Sequence, residues 1–281
     1  MSQSILGSVT TGVTRTGLRM VLAAQEKMGK TTMCSQMPNP LLIPLEVGYA
    51  GVNVPKTAML QSYPQVLQLV QELMTLAQQG QLPFRTLILD SATALERQIH
   101  NHVLSSDPGY KSNPSKVTME SAHGGYGKAY TMANTFFDDL LKALDILAVY
   151  ANLNIVFTCH VFSSKVMDPT SGEYDSWDLL LHSPKNFKTY GKRELITQWA
   201  DIIGFLYEPI FVTQSEGKSG MAKGMSQNKG RVLAVSRTPS YTAGNRFGLV
   251  GEVPIPAPPE NGWNYVAHYL YQTTGIDLYT R

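Results

Sequence analysis

The chain has 281 residues, 43% hydrophobic and 16% charged, a length and balance that suit one elaborated α/β domain with extensions better than two complete domains. Its 23 lysines and arginines against 21 aspartates and glutamates leave a formal charge of +2. Overall charge therefore gives no sign of a nucleic-acid partner, and any such contact has to come from local clusters. No run of about eighteen apolar residues is present, and the first residues lack a basic stretch followed by a long apolar core. The two cysteines, Cys34 and Cys159, sit where burial is expected and have no metal-site spacing. These features predict a soluble, cytoplasmic protein in a reducing environment, with no disulfide and no membrane partner.

In chain order, residues 1 to 18 are rich in Ser, Thr and Gly, with isolated Ile5, Leu6, Val9 and Val13. That is too little to bury alone, so the segment reads as an arm, disordered or docked on a neighbour. The stretch RMVLAAQEKMGKTT follows, from Arg19 to Thr32, and predicts a short strand, a tight loop and a helix that stops at Pro38. From Ala24 to Thr31 it meets the phosphate-loop pattern G-x-x-x-x-G-K-[ST], with alanine in the first glycine position. Loop amides over Ala24, Gln25, Glu26, Lys27, Met28, Gly29, Lys30, Thr31 and Thr32 would form an anion hole, with glycine at position 29 for close backbone approach. Lys30 would reach the β- and γ-phosphates as a compact cation, and the Thr31 hydroxyl would complete a Mg²⁺ shell.

After the turn at Pro38–Asn39–Pro40, LLIPLE reads as a second buried strand ending in Glu46, with Pro44 expected at its end or on an unpaired side. A helix capped at Ser62 runs to about Gln79 and stops at Gly80. Next, FRTLILD from Phe84 to Asp90 is an apolar run closed by an aspartate. That is the Walker B pattern, in which the carboxylate holds the metal shell beside the phosphate loop. A helix over Ala92–Leu104 precedes a long polar loop, 105–127, with Lys111, Lys116, Tyr110 and Tyr126. A long helix over Tyr130–Tyr150 and a fourth strand, NIVFTCH, ending in His160 come next. Phe162 to Leu181 has the residues of a hairpin, Ser183 to Glu194 interleaves lysines with Phe187 and Tyr190, and strands are expected at Ile202–Tyr207 and Arg231–Ser236. The loop between them is expected to be mobile, the tail at Val253–Pro259 is proline-rich, and Trp263–Thr273 suits a last helix. The resulting division is an arm at 1–18, a core at 19–250 and a C-terminal extension at 251–281.

Strands alternating with helices predict a mostly parallel α/β sheet whose strand ends meet on one edge. The ordered set LLIPLE, LILDSATAL and IVFTCH behind the phosphate loop resembles the RecA-like P-loop ATPases. Within them, QWADIIGFLYEP and TAGNRFGL are similar to phage proteins that include Sak-type single-strand annealing proteins. Ala24 and Pro44 depart from the family pattern, and Pro44 leaves turnover less determined than binding.

The resemblance implies a RecA-like core with a β-hairpin insertion, ATP and Mg²⁺ as ligands, and a catalytic set of Lys30, Glu46, His160 and Arg246. Glu46 would activate water, His160 would sense the γ-phosphate, and Thr31 with Asp90 would hold the metal. A cation from a neighbouring subunit would complete the site, with Lys229, Arg231, Arg237 and Arg246 as candidates and Arg246 favoured. Two functions follow. One is an ATP-dependent protein that binds single-stranded DNA and promotes annealing or recombination in the cytoplasm, the host's if it is phage-encoded, as a homo-oligomeric ring or filament. It would contact DNA through Lys111, Lys116, Lys165, Lys185, Lys188, Lys192 and Arg193, and a single-strand DNA-binding protein is a further candidate partner. The other is a nucleotide-switched assembly factor with no DNA role.

Overall fold

The computed structural model describes residues 9, 11, 16–170, 172–184, 190–214, 222–226 and 230–279, with 211–214 and 222–226 described by backbone alone. The chain opens with β1 (Arg19–Ala23), α1 (Lys30–Cys34), β2 (Pro40–Pro44), α2 (Tyr63–Gln78), β3 (Thr86–Asp90), α3 (Ala92–Ser105) and α4 (Lys128–Tyr150). It continues through β4 (Asn154–Cys159), the hairpin β5 (Val161–Asp168) and β6 (Gly172–Leu179), α5 (Lys192–Trp199) and β7 (Ile202–Tyr207). A second hairpin of β8 (Ile210–Gln214) and β9 (Ala222–Ser226) precedes β10 (Arg231–Ala234), β11 (Gly244–Asn245), β12 (Glu252–Ile255) and α6 (Gly262–Thr274).

One sheet runs in the order β12-β10-β7-β1-β4-β3-β2, with β11 also on β7. The five strands from β7 to β2 are parallel, and β10 pairs antiparallel with β7. Every residue of β3 (TLILD) and β4 (NIVFTC) is buried, as central parallel strands covered on both faces require. The period of two divides β1. Val21 and Ala23 enter the core beneath α2 to α5, and Met20 and Leu22 enter the core beneath α1 and α6. Phe137, Leu140, Leu141, Leu144 and Leu147 of α4, spaced by three and four, close the first face. On the other face Trp263, Val266 and Leu270 of α6 close over Met33 and Cys34. The fold is therefore the expected mixed α/β architecture, a mostly parallel sheet between helices with a β-hairpin at 161–179.

Pro44 is the last residue of β2, an edge strand, where the missing N–H takes no ladder bond. Three elements depart from the expectation. The basic stretch near 190 becomes helix α5 from Lys192 onward. Within the loop expected between Gln214 and Gly230 lies β9, which pairs with β8 just before it. The proline-rich tail supplies β12, which among the described residues pairs only with β10 and so tolerates Pro254. Most of the arm lies outside the described residues. Val9 is exposed, while the Gly17 amide donates to Ala148 O at 2.8 Å beside the start of β1.

Lys192, expected to face DNA, is instead fully buried. Its ammonium donates to His100 Nε2 at 2.9 Å and Asn134 Oδ1 at 3.2 Å and lies 3.7 Å from Glu96. The reason is tertiary: α3 and α4 converge around it with three polar acceptors, which a buried cation needs. Burial lowers Lys192 to about 8, and burial with the Lys192 charge lowers His100 from 6.5 to about 3. His100 must therefore stay neutral to accept from Lys192, since its protonation would set two cations side by side. The unfolded chain binds this proton near pH 6.5 and the folded one does not, so stability falls as pH drops below 6.5. We expect a loss of about 2 kcal/mol at pH 5 from this residue alone. Urea unfolding of His100→Gln at pH 7 and pH 5 should show the loss reduced by about that amount; an unchanged pH dependence would contradict the assignment.

Candidate functional site

The site forms where the parallel strands end. Beyond β1, the Ala24 amide donates to Cys159 O at 3.2 Å, which ties the start of the loop to the end of β4. The loop then reaches Gly29, whose φ of 90° is the left-handed region that glycine adopts without penalty. Among the described residues, no hydrogen bond within the chain uses the backbone amides of Gln25 through Gly29. A row of free amide donors beside a lysine fits a polyphosphate. Ala24 is fully buried, so the first glycine position is filled by a methyl group that packs.

Lys30 is 7% exposed and its Nζ donates to Ala24 O and Gln25 O, each at 2.9 Å. Burial pulls this ammonium below the usual lysine range, against the attraction of Asp90 and, to a lesser degree, Glu26 and Glu46. Those carboxylates thus share one electrostatic site with Lys30. Thr31 Oγ1 donates to Asp90 Oδ2 at 2.8 Å, and Thr158 Oγ1 from β4 donates to Asp90 Oδ1. A hydroxyl and a carboxylate side by side are hard oxygen donors of the kind that hold Mg²⁺ together with substrate phosphates and water. Among the described residues no cluster of three or more His, Cys, Asp or Glu could hold a metal unaided, so two protein oxygens are what this edge offers. Both cysteines are free and buried, and burial pushes the Cys159 thiol up to about 12.

Glu46 follows β2 and is clamped from two sides. His160 Nε2 donates to its Oε1 at 2.8 Å and Arg97 donates to its Oε2 at 3.1 Å. Burial raises Glu46, but hydrogen bonds from His160 and Ser91 and the Arg97 charge outweigh it, so the group lies below the usual range. It is a carboxylate at neutral pH, the form a general base needs. His160 Nδ1 has no hydrogen-bond partner among the described residues and lies 3.7 Å from Glu26. Arg97 was not foreseen. It carries no motif, and only its helical phase after Ser91 points to this edge.

The candidate cations separate. Arg231 lies against its own chain's loop, donating to Met28 O at 2.8 Å, rather than facing outward. Arg246 sits beyond the start of β1, 3.1 Å from Asp201, which also accepts from Arg19, and donates to Gln198 O. It is therefore remote from its own phosphate loop. Arg237 is exposed and Lys229 lies outside the described residues. Lys111 and Lys116 are exposed on the loop before α4, and exposed Lys165 on β5 pairs with Glu173 at 3.2 Å. Arg193 is half-buried between Asp178 and Glu194, so it is partly neutralised. Lys185 and Lys188 lie outside the described residues.

Lys30→Ala removes an ammonium whose hydrogen bonds go to loop carbonyls. Calorimetric titration should show ATP affinity reduced by roughly a hundredfold or more with the melting temperature retained, the scale of a lost charged hydrogen bond. Unchanged affinity would remove the phosphate-loop reading.

The family profile described as an AAA domain, AAA_24, matches residues 16–247, which includes the phosphate loop, Glu46, Asp90 and His160. No curated protein matches the chain. A match over most of the chain, with these residues assembled at one sheet edge, means that the protein belongs to the AAA_24 family of AAA domains, a family of P-loop ATPases.

Proposed function

We propose that the protein binds and hydrolyses ATP at this edge and uses the cycle to bind single-stranded DNA for annealing or recombination, as a head-to-tail homo-oligomer of RecA-like type. Lys30 and the free loop amides would hold the phosphates, and Thr31 with Asp90 would hold Mg²⁺. The metal would neutralise charge on the phosphates. Glu46, ionised and oriented by His160 and Arg97, would accept the proton of the attacking water, a contribution of about 10²- to 10⁴-fold for a positioned base. Exposed Arg237, partly exposed Arg246 and Lys229, which lies outside the described residues, remain the candidates to serve a neighbour's site.

One observation supports the DNA part of this reading: the loop before α4 and the described residues on either side of 185–189 each pack on α3 or α4. His123 bonds Val103 O at 2.9 Å, Tyr130 stacks on His182 at 4.0 Å, and Asn134 donates to Tyr190 O at 2.7 Å. Tyr126 is 99% exposed and Tyr190 is 62% exposed, as bases stacking on aromatic rings would require. Lys111 and Lys116 supply exposed charge on the first loop. The same helix α3 sends Arg97 to Glu46 and Glu96 to the His182 amide, which supports a link between the nucleotide and this face.

The test is fluorescence anisotropy of labelled single-stranded DNA across salt, with ATP hydrolysis measured alongside. We expect little sequence preference, DNA-stimulated hydrolysis, and a log–log salt slope of about −2 to −3, at roughly −0.7 per phosphate neutralised by three or four lysines. Replacing Lys111, Lys116, Lys185 and Lys188 together should flatten that slope. Absence of binding at low salt, with ATP bound normally, would favour the assembly-factor alternative.

A further inference from the structure

Arg231 opens β10, and the antiparallel register of β10 on β7 carries it just past Tyr207, to the edge where the parallel strands end. There its guanidinium crosses the phosphate loop. Nη1 donates to Met28 O at 2.8 Å, and Nη2 lies 3.5 Å from Pro256 O, just beyond β12. A Cβ built on Gly29 would fall 2.1 Å from Nη1, so the glycine makes room for this arginine as well as adopting its positive φ. In a trans peptide the carbonyl and the following N–H point in opposite directions. Pinning Met28 O therefore fixes the direction of the Gly29 amide, and no acceptor within the described chain competes for that amide. Lys30 pins the loop's other end through Ala24 O and Gln25 O.

We propose that Arg231 is a same-chain positioning residue of the nucleotide site, holding the Met28–Gly29 peptide so that its amide faces the phosphates. This rests on the nucleotide reading above and extends it. The residue acts in its own subunit, not on a neighbour, and its effect falls on the loop common to ATP and ADP rather than on the γ-phosphate alone.

Arg231→Ala should weaken binding of ATP and ADP together, each by roughly tenfold or more, the scale of a charged hydrogen bond lost from the loop. The melting temperature of the nucleotide-free protein should stay where it was. Arg231→Lys, which keeps one charged donor, should recover most of the affinity, a rescue that a packing role would not give. If Arg231→Ala does not fold, Arg231→Met keeps the stem packed and replaces it in every arm. At an ATP concentration that leaves Arg231→Ala mostly unliganded, mixing it with Lys30→Ala subunits should add no hydrolysis, because neither chain then holds both cations. Wild-type affinity in the Arg231 variant, when Lys30→Ala has lost binding, overturns the inference and leaves the nucleotide site standing. Hydrolysis regained on mixing overturns the same-chain assignment. Wild-type ATP binding by Lys30→Ala overturns the nucleotide reading and this inference with it.

Discussion

Asp90 is a carboxylate at the end of a strand buried at every residue, itself only 9% exposed, and it is the constraint on which the edge depends. A charge so placed is tolerable only when hydrogen-bonded. Thr31 donates to one oxygen from the turn after the phosphate loop, and Thr158 donates to the other from β4. Three elements separated in sequence are thereby fixed around one group. The arrangement also spans the sheet. β4 lies between β1 and β3, so the phosphate loop and Asp90 approach each other across the end of β4 rather than along adjacent strands.

From Asp90 the chain turns directly into α3, capped by Ser91 Oγ accepting from the Ala94 amide at 3.2 Å. Successive residues of this helix reach different parts of the molecule. Thr93 bonds Leu180 O and the His160 amide, Glu96 accepts from the His182 amide, Arg97 holds Glu46, and His100 accepts from Lys192. One rigid helix thus touches the water-activating candidate, the end of the strand that carries His160, and the segment that leads to the exposed aromatic loops. His160 and Glu46 each touch α3 directly, through Thr93 and Arg97.

The strands and the amphipathic helices were legible because their periods are those of two-sided and one-sided burial. β3 and β4 are unbroken apolar runs, and α4 repeats leucine at three and four. The loop, Asp90, Glu46 and His160 were legible because each follows an apolar strand, and strand ends of an α/β sheet share an edge. What escaped depends on partners distant in sequence. Lys192 looked like a solvated charge because lysine is rarely buried, and its acceptors lie on α3 and α4. Arg97 and Arg231 belong to no motif. Their places follow from helical phase and from the antiparallel register of β10, neither of which the local sequence announces. Strand β12 was hidden by its prolines, which an edge position excuses.

On the reading proposed above, this edge receives a nucleoside triphosphate, with Mg²⁺ near Lys30, Thr31 and Asp90. A crystal structure with Mg²⁺ and a non-hydrolysable ATP analogue tests it most directly. The analogue's β- and γ-phosphates are expected on the amides from Lys27 to Thr31. Lys30 Nζ should have left Ala24 O and Gln25 O for phosphate oxygens, and the metal should lie between Thr31 and Asp90, with Arg231 still on Met28 O. A fully occupied analogue bound elsewhere, or bound here with Lys30 still on its two loop carbonyls, would contradict it.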